Sequence, residues 1–288
     1  MIPSFIAFML AGTLFLSWND IQRKRLLNAE IDERHLLVAS FILGGLILCV
    51  PLVYFGIPRI LPAFWIAAIA TTCVGVVSQQ WYFRAFKLSD ASLVAPLRLI
   101  TPPLVIITGF ILLGEQPTFL GACGIFLTVA GLWFLLFPTM RPSWKLERGT
   151  LYGLGACALF AVSFPLDKLA VVSSSALFAG ATVFPAIGLL IFLQYQISDR
   201  TFASRLVAAI GRAPRDFIAF SSTFALGLFF SNQALNYSLT AYAASLKRLQ
   251  AVWTVILSGG FLHEKDIARR LVAVLIMFVG IILSVVFQ

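Results

Sequence analysis

Residues 84–115, RAFKLSDASLVAPLRLITPPLVIITGFILLGE, return in outline 149 positions later (84 to 233) as residues 233–264, QALNYSLTAYAASLKRLQAVWTVILSGGFLHE. Ala85 falls on Ala234, Ser89 on Ser238, Ala95 on Ala244, Leu97 on Leu246 and Glu115 on Glu264, while Arg98 falls on Lys247. Each copy is a run of apolar residues that carries cations near its start and closes on a glutamate. Two copies mean a chain built twice, and the flanking sequence decides how often each half crosses the bilayer.

A helix needs about 20 apolar residues to cross the hydrocarbon core, with about 17–25 tolerated. Outward from the repeat, such runs occupy about 3–20, 36–55, 62–84, 91–113, 117–137, 149–170, 174–195, 216–236, 241–261 and 268–287. The breaks GIPR, KLSD, EQPT, FPTMRPS and HEKD are turn-forming or charged. Composition agrees: the 288 residues are 60% hydrophobic and 11% charged, too few charges to cover a soluble domain. The spacing predicts an all-α integral membrane protein with ten transmembrane helices in two five-helix repeats, 1–140 and 141–288. An odd number of crossings per repeat sets the halves in opposite orientations. Such inverted repeats are common among secondary transporters, whose site lies near the midplane between them. The longest connection, 196–215, contains TFASRLVAAIGR and suits a short basic amphipathic helix on the membrane surface. The start, MIPSFIAFMLAGTLF, has no basic leader and no clear cleavage site and reads as a retained first span.

Charge sets the orientation. Sixteen of the 21 Lys and Arg fall in the loops after spans one, three, five, seven and nine. They are Arg23, Lys24, Arg25 and Arg34; Arg84 and Lys87; Arg141, Lys145 and Arg148; Arg200, Arg205, Arg212 and Arg215; and Lys265, Arg269 and Arg270. Arg59 and Lys168 lie on the other side. The positive-inside rule makes the odd loops cytoplasmic and both termini non-cytoplasmic, in a multi-pass cell-membrane protein (inner or plasma membrane in a bacterium). The net charge of +9 thus reflects topology, and no nucleic-acid partner is expected.

The remaining cations, Arg98, Lys247 and Arg248, lie within spans. Lys247 and Arg248 are six and seven residues in, roughly 10 Å deep. Neighbouring helical residues point about 100° apart, so both escape hydrocarbon only if the helix borders a polar space. Cations inside a membrane usually face a cavity or a partner, and these three are expected to line a solute pathway. Two other readings stay open: snorkelling toward the headgroups, and salt bridges to Asp20 or Asp167, which end spans one and six at equivalent places. A second polar set is Gln79, Gln80, Trp81 and Tyr82 in span three with Asn232, Gln233, Asn236 and Tyr237 in span eight. Its amides can bind solute or glue helices together, and Trp253 is an aromatic candidate. Pro96, Pro102, Pro103 and Pro165 are candidates for breaking spans four and six. Lys168 reads as an interface marker, and Glu115 and Glu264 as solvated or capping residues. Cys49, Cys73, Cys123 and Cys157 stand in apolar runs without CxxC and read as packing. His35 and His263 are far apart, and no HExxH, nucleophile elbow or P-loop occurs, so neither enzyme chemistry nor a cofactor or metal is expected.

Ten spans in two repeats, with LVAPLRLITPPLVIITGFILLGE closing the fourth span and AASLKRLQAVWTVILSGGFLHEK its second copy, resemble the EamA-type members of the drug/metabolite transporter superfamily. The resemblance covers essentially the whole chain and implies alternating-access movement of small metabolites. A narrower likeness is to the triose-phosphate and nucleotide-sugar translocators. Lys247-Arg248 matches their ninth-span pair, Arg98 stands at the fourth-span cation of the phosphate translocators, and SWNDIQRKRLL is similar to the Asn and basic pair closing their first span. By that likeness Asn19 joins the substrate set and the cations would hold a phosphate. Arg98 departs from the family's Lys, and the loop before span nine is shorter. The leading expectation is a secondary transporter of a small anionic or zwitterionic metabolite, phosphorylated ones among them, working as a monomer or homodimer in the bilayer. An exporter of amino acids or amines held by Asp20 or Asp167, a lipid-phosphate flippase, and a signalling or assembly subunit remain open.

Overall fold

The computed structural model describes residues 2–88, 97–136, 148–257 and 267–287. Their helices are α1 (Ile2–Asn28), α2 (Glu33–Phe55), α3 (Pro62–Leu88), α4 (Thr101–Leu113, entered through a 3-10 turn Arg98–Ile100), α5 (Phe119–Leu136) and α6 (Arg148–Val172). There follow α7 (Ala176–Ser198), α8 (Phe202–Arg212), α9 (Pro214–Ala234), α10 (Thr240–Leu246), α11 (Leu249–Leu257) and α12 (Ile267–Val286). Among the described residues five helices are long and apolar enough to cross a membrane: Pro3–Asn28, Glu33–Phe55, Pro62–Ala85, Arg148–Val172 and Ala176–Ser198. Arg98–Leu113, Phe119–Phe134 and Leu275–Ser284 are shorter apolar stretches. Large apolar side chains such as Val53, Ile66 and Phe119 are more than 70% exposed, which suits contact with lipid.

The helices depart from the expected runs for physical reasons. The first continues eight residues past position 20, to Asn28, because Gln, Arg, Lys and Leu in IQRKRLLN are good helix formers that carry it beyond the hydrocarbon. Pro165 does not break its span but sits inside a continuous α6. Pro102 and Pro103 stand in the first turn of α4, where a missing N–H costs no helical bond, and so begin that helix. Span nine, expected unbroken, parts into α10 and α11 at Lys247 and Arg248. The segment 202–212 is the amphipathic helix the sequence suggests, with Phe202 and Leu206 buried. Ser89, Ala95, Pro96, Arg141, Lys145, His263, Glu264 and Lys265 lie outside the described residues.

Helices of the first half pack on those of the second. α1 lies on α9 and α3 on α6, α2 pairs with α7 and α5 with α12, α4 packs on α6 and α11 on α1, and α2 meets α9 as α3 meets α7. Exchanging α1 with α6, α2 with α7, α3 with α9, α4 with α10–α11 and α5 with α12 leaves these pairs unchanged. Contacts show these helix pairs running antiparallel: Asn19 Nδ2 donates to Phe220 O at 2.8 Å while Gly12 faces Ser231, and Thr71 Oγ1 bonds Ser163 Oγ at 3.0 Å while Gly155 faces Trp81. Close crossings need glycine. A Cβ on Gly280 would lie 2.6 Å from Thr128 N and 2.7 Å from Gly124 O, so α5 and α12 touch backbone to backbone. Gly280→Val is expected to cost about 1–3 kcal/mol and lower the melting temperature in detergent; an unchanged melt would mean the two helices are not in contact.

At the end of the molecule that holds the start of α10, the chain is tied shut. Lys168 Nζ lies 2.6 Å from Glu115 Oε1 and donates to Ser238 O at 2.7 Å. Glu115 Oε2 accepts from Thr240 N at 2.8 Å and from Thr240 Oγ1 at 2.5 Å, capping α10. The capping role expected of Glu115 is thus exercised on another helix. It is not solvated, since its side chain is 8% exposed. Lys168, read as an interface marker, also has an internal partner, a carboxylate from the other half beside which it is 18% exposed.

Candidate functional site

A cavity of about 610 Å³ runs between the halves. On α1 its wall extends from Met9 to Leu27, about 27 Å along the axis, close to the thickness of the hydrocarbon core. Arg23, Leu27 and Glu33 line it where α1 gives way to α2, at the end opposite the Lys168–Glu115 tie. Seven of the residues expected to bind solute share this wall: Asn19, Gln79, Tyr82, Arg98, Asn232, Lys247 and Arg248. Three do not. Gln80 bonds Gln194 on α7, away from the cavity. Gln233 lines a separate, smaller hollow with Phe8, Phe55 and Phe229. Trp253 packs into the apolar cluster around Tyr242, Leu246 and Leu249.

The cations stand where helical geometry is disturbed. Lys247 N donates to Ala243 O at 3.0 Å, as in an α-helix, but Arg248 N turns to Ser245 O, three residues back, at 3.0 Å. That tightened turn leaves Ala244 O, which the Arg248 side chain takes through Nε at 3.3 Å. No proline or glycine stands in 241–257, so a residue that cannot continue a helix is not the cause of this kink. Arg98, the repeat counterpart of Lys247, opens a 3-10 turn of its own. Irregular backbone at membrane depth is tolerated where it borders a cavity, because only there can its freed polar groups find partners.

Aromatic rings hold Arg98 and Lys247. The Arg98 guanidinium carbon lies 4.3 Å from the centre of the Tyr82 ring and 5.3 Å from that of Phe160, and Lys247 Nζ lies 5.2 Å from that of Phe164. The ion pairs among the described residues join Arg25 to Asp216, Arg34 to Asp32, Lys168 to Glu115 and Arg205 to Asp199, so none involves Arg98, Lys247 or Arg248. The alternative bridges to Asp20 and Asp167 are not formed. Asp20 accepts from Gln250 Nε2 at 2.7 Å and Asp167 from Thr71 Oγ1 at 2.5 Å. Asn19 lines the cavity while its amide donates to Phe220 O and Thr223 Oγ1, so it also joins α1 to α9. Phe160, Ser163 and Phe164 also line the cavity and were not among the expected residues, though they stand seven, four and three positions before Asp167 on one helix face.

The model of the EamA-like transporter family matches residues 3–137 and again residues 147–286, once in each half. This chain belongs to that family. As an EamA-like transporter it is a multi-pass membrane protein that performs secondary transport, and it is not an enzyme. A solved structure described only as "Crystal structure of protein" has the same fold, with a TM-score of 0.72 at 15% identity over 99% of this chain and 98% of that one. No curated protein matches the chain.

Proposed function

We propose that this EamA-like transporter carries a small anionic or zwitterionic metabolite, phosphorylated ones among them, by alternating access around the cavity between its halves. The observation that carries this reading is the set Arg98, Lys247 and Arg248: three cations on one cavity wall, with no carboxylate of the described residues within ion-pair distance. A buried charge is costly unless compensated, and an anionic solute supplies the compensation. The set also suits the phosphate-binding residues of the triose-phosphate and nucleotide-sugar translocators. Asp20 and Asp167 on the same wall favour a second reading, in which an amine or amino-acid ammonium group is bound and the cations are structural. A thermal-shift screen of the purified protein separates the two. Organic phosphates and carboxylates are expected to raise the melting temperature, and stabilisation by amines alone would favour the second.

The frame for this function is ten crossings in two inverted five-helix repeats, 1–140 and 141–288. The packing pairs that survive exchange of the halves support it, as does the odd number of crossings in each. The described residues that line the cavity belong to one chain, and the reading holds for a monomer or a homodimer. Both termini are placed outside the cytoplasm, because 16 of 21 cations lie on the other side. A reporter active only in the cytoplasm, fused after Gln288, is expected to be silent; strong activity would reverse the orientation and leave the fold intact.

A further inference from the structure

The Asp167 carboxylate is a half-buried acid that the anion site does not use. It lies on the cavity wall with Lys247. Its oxygens accept from Thr71 Oγ1 at 2.5 Å and from Ser163 Oγ at 3.4 Å, and Lys247 Nζ sits over the ring of Phe164, one turn before Asp167 on α6, though no ion pair is closed. The other groups near this stretch are accounted for. On α3, Tyr82 and Arg84 lie toward the mouth, Tyr82 against Arg98 and Arg84 over Tyr152. Arg98 lies over the Tyr82 and Phe160 rings, and Arg248 donates to Ala244 O. Lys168, next in sequence, is taken by Glu115. α7 carries no charged residue, and α9 carries only Arg215 and Asp216 at its opposite end. Asp20, the other acid deep on this wall, is held by Gln250 and Thr254 of α11.

From this placement we infer that Asp167 is a proton-coupling site: a bound anion and the ionised Asp167 compete for Lys247, so anion binding is linked to uptake of one proton by Asp167. This rests on the anion reading above. In the empty cavity the ammonium of Lys247 offsets the carboxylate across the lumen. An anion that pairs with Lys247 takes that compensation away. Two hydroxyl donors do not replace a full charge, and an uncompensated buried carboxylate is costly. A proton from cavity water joins one Asp167 oxygen, forming a carboxylic acid that can donate to the Thr71 or Ser163 hydroxyl. No other bond changes, and Lys247 keeps its protons. A monovalent anion then enters with one proton, and the loaded cavity has the same charge as the empty one.

The test uses the purified full chain and ethanesulfonate as probe, an anion that does not itself titrate near neutrality. Calorimetry in two buffers of different ionisation enthalpy reads the protons taken up per anion bound. Wild-type protein is expected to take up close to one proton above the range where Asp167 is already protonated, with affinity falling up to tenfold per pH unit as pH rises. Asp167→Asn is expected to bind without proton uptake and without this pH dependence, whereas Asp20→Asn keeps both. Binding by wild type with no proton exchange across pH 5–9 would overturn the inference and leave the anion site standing, and it needs no variant to fold. Uptake that persists in Asp167→Asn, or vanishes in Asp20→Asn instead, overturns it as well. Absence of anion binding by wild type, for ethanesulfonate and for phosphate alike, would remove the anion reading and the coupling with it.

Discussion

Lys247→Ala, Arg248→Ala and Arg98→Ala are each expected to weaken anion binding about 10- to 100-fold while the protein stays folded in detergent. A hydrogen bond to a charged group contributes roughly 1.5–3 kcal/mol, which corresponds to that range of affinity. Lys247 and Arg98 rest on aromatic faces and close no ion pair among the described residues, so removing either breaks no direct salt bridge there. Arg248 also bonds Ala244 O, and its alanine variant is expected to add a modest loss of stability to the loss of binding. Titration of the purified variants against the best-stabilising organic phosphate reads both effects. Snorkelling side chains would leave all three affinities unchanged.

Glu115→Ala is expected to have the largest effect on stability of any single change outside the cavity. It strands Lys168, whose side chain is 18% exposed, and it strips Thr240 N of its acceptor at the start of α10. Breaking a buried pair by removing one partner costs about 3–5 kcal/mol. Replacing both, as Glu115→Gln with Lys168→Met, keeps an acceptor for Thr240 and removes the stranded charge, so most of the melting temperature is expected to return. Equal losses in the single and double variants would mean that Lys168 was not the cost. The tie joins the segment after α4 in the first half to α6 and the start of α10 in the second, at the end opposite the Arg23, Leu27 and Glu33 stretch of the cavity wall. Movement that opened the tied end would have to part these residues.

The repeat, the apolar runs and the in-span cations were legible because each follows from one-dimensional quantities: run length, spacing and charge. Family membership adds that the duplication is genuine, since one family model matches both halves. The break at Lys247–Arg248, which borders the cavity, was not legible, because AASLKRLQ contains no residue that forbids a helix. Nor was the split among the amides. Gln79 and Gln80 are adjacent, and only the rotation of α3 against α6 and α7 decides that Gln79 meets the lumen while Gln80 meets Gln194. The pairing of Lys168 with Glu115 spans 53 positions and needed the fold to bring α4 and α6 side by side.

The most direct test of the central claim is uptake of a labelled organic phosphate, chosen by the thermal-shift screen, into proteoliposomes preloaded with the same compound unlabelled. The account expects saturable counterflow by the wild-type chain and its loss in Lys247→Ala and in Arg98→Ala. Counterflow of amines with none of any anion, or anion counterflow undiminished in both variants, would contradict it.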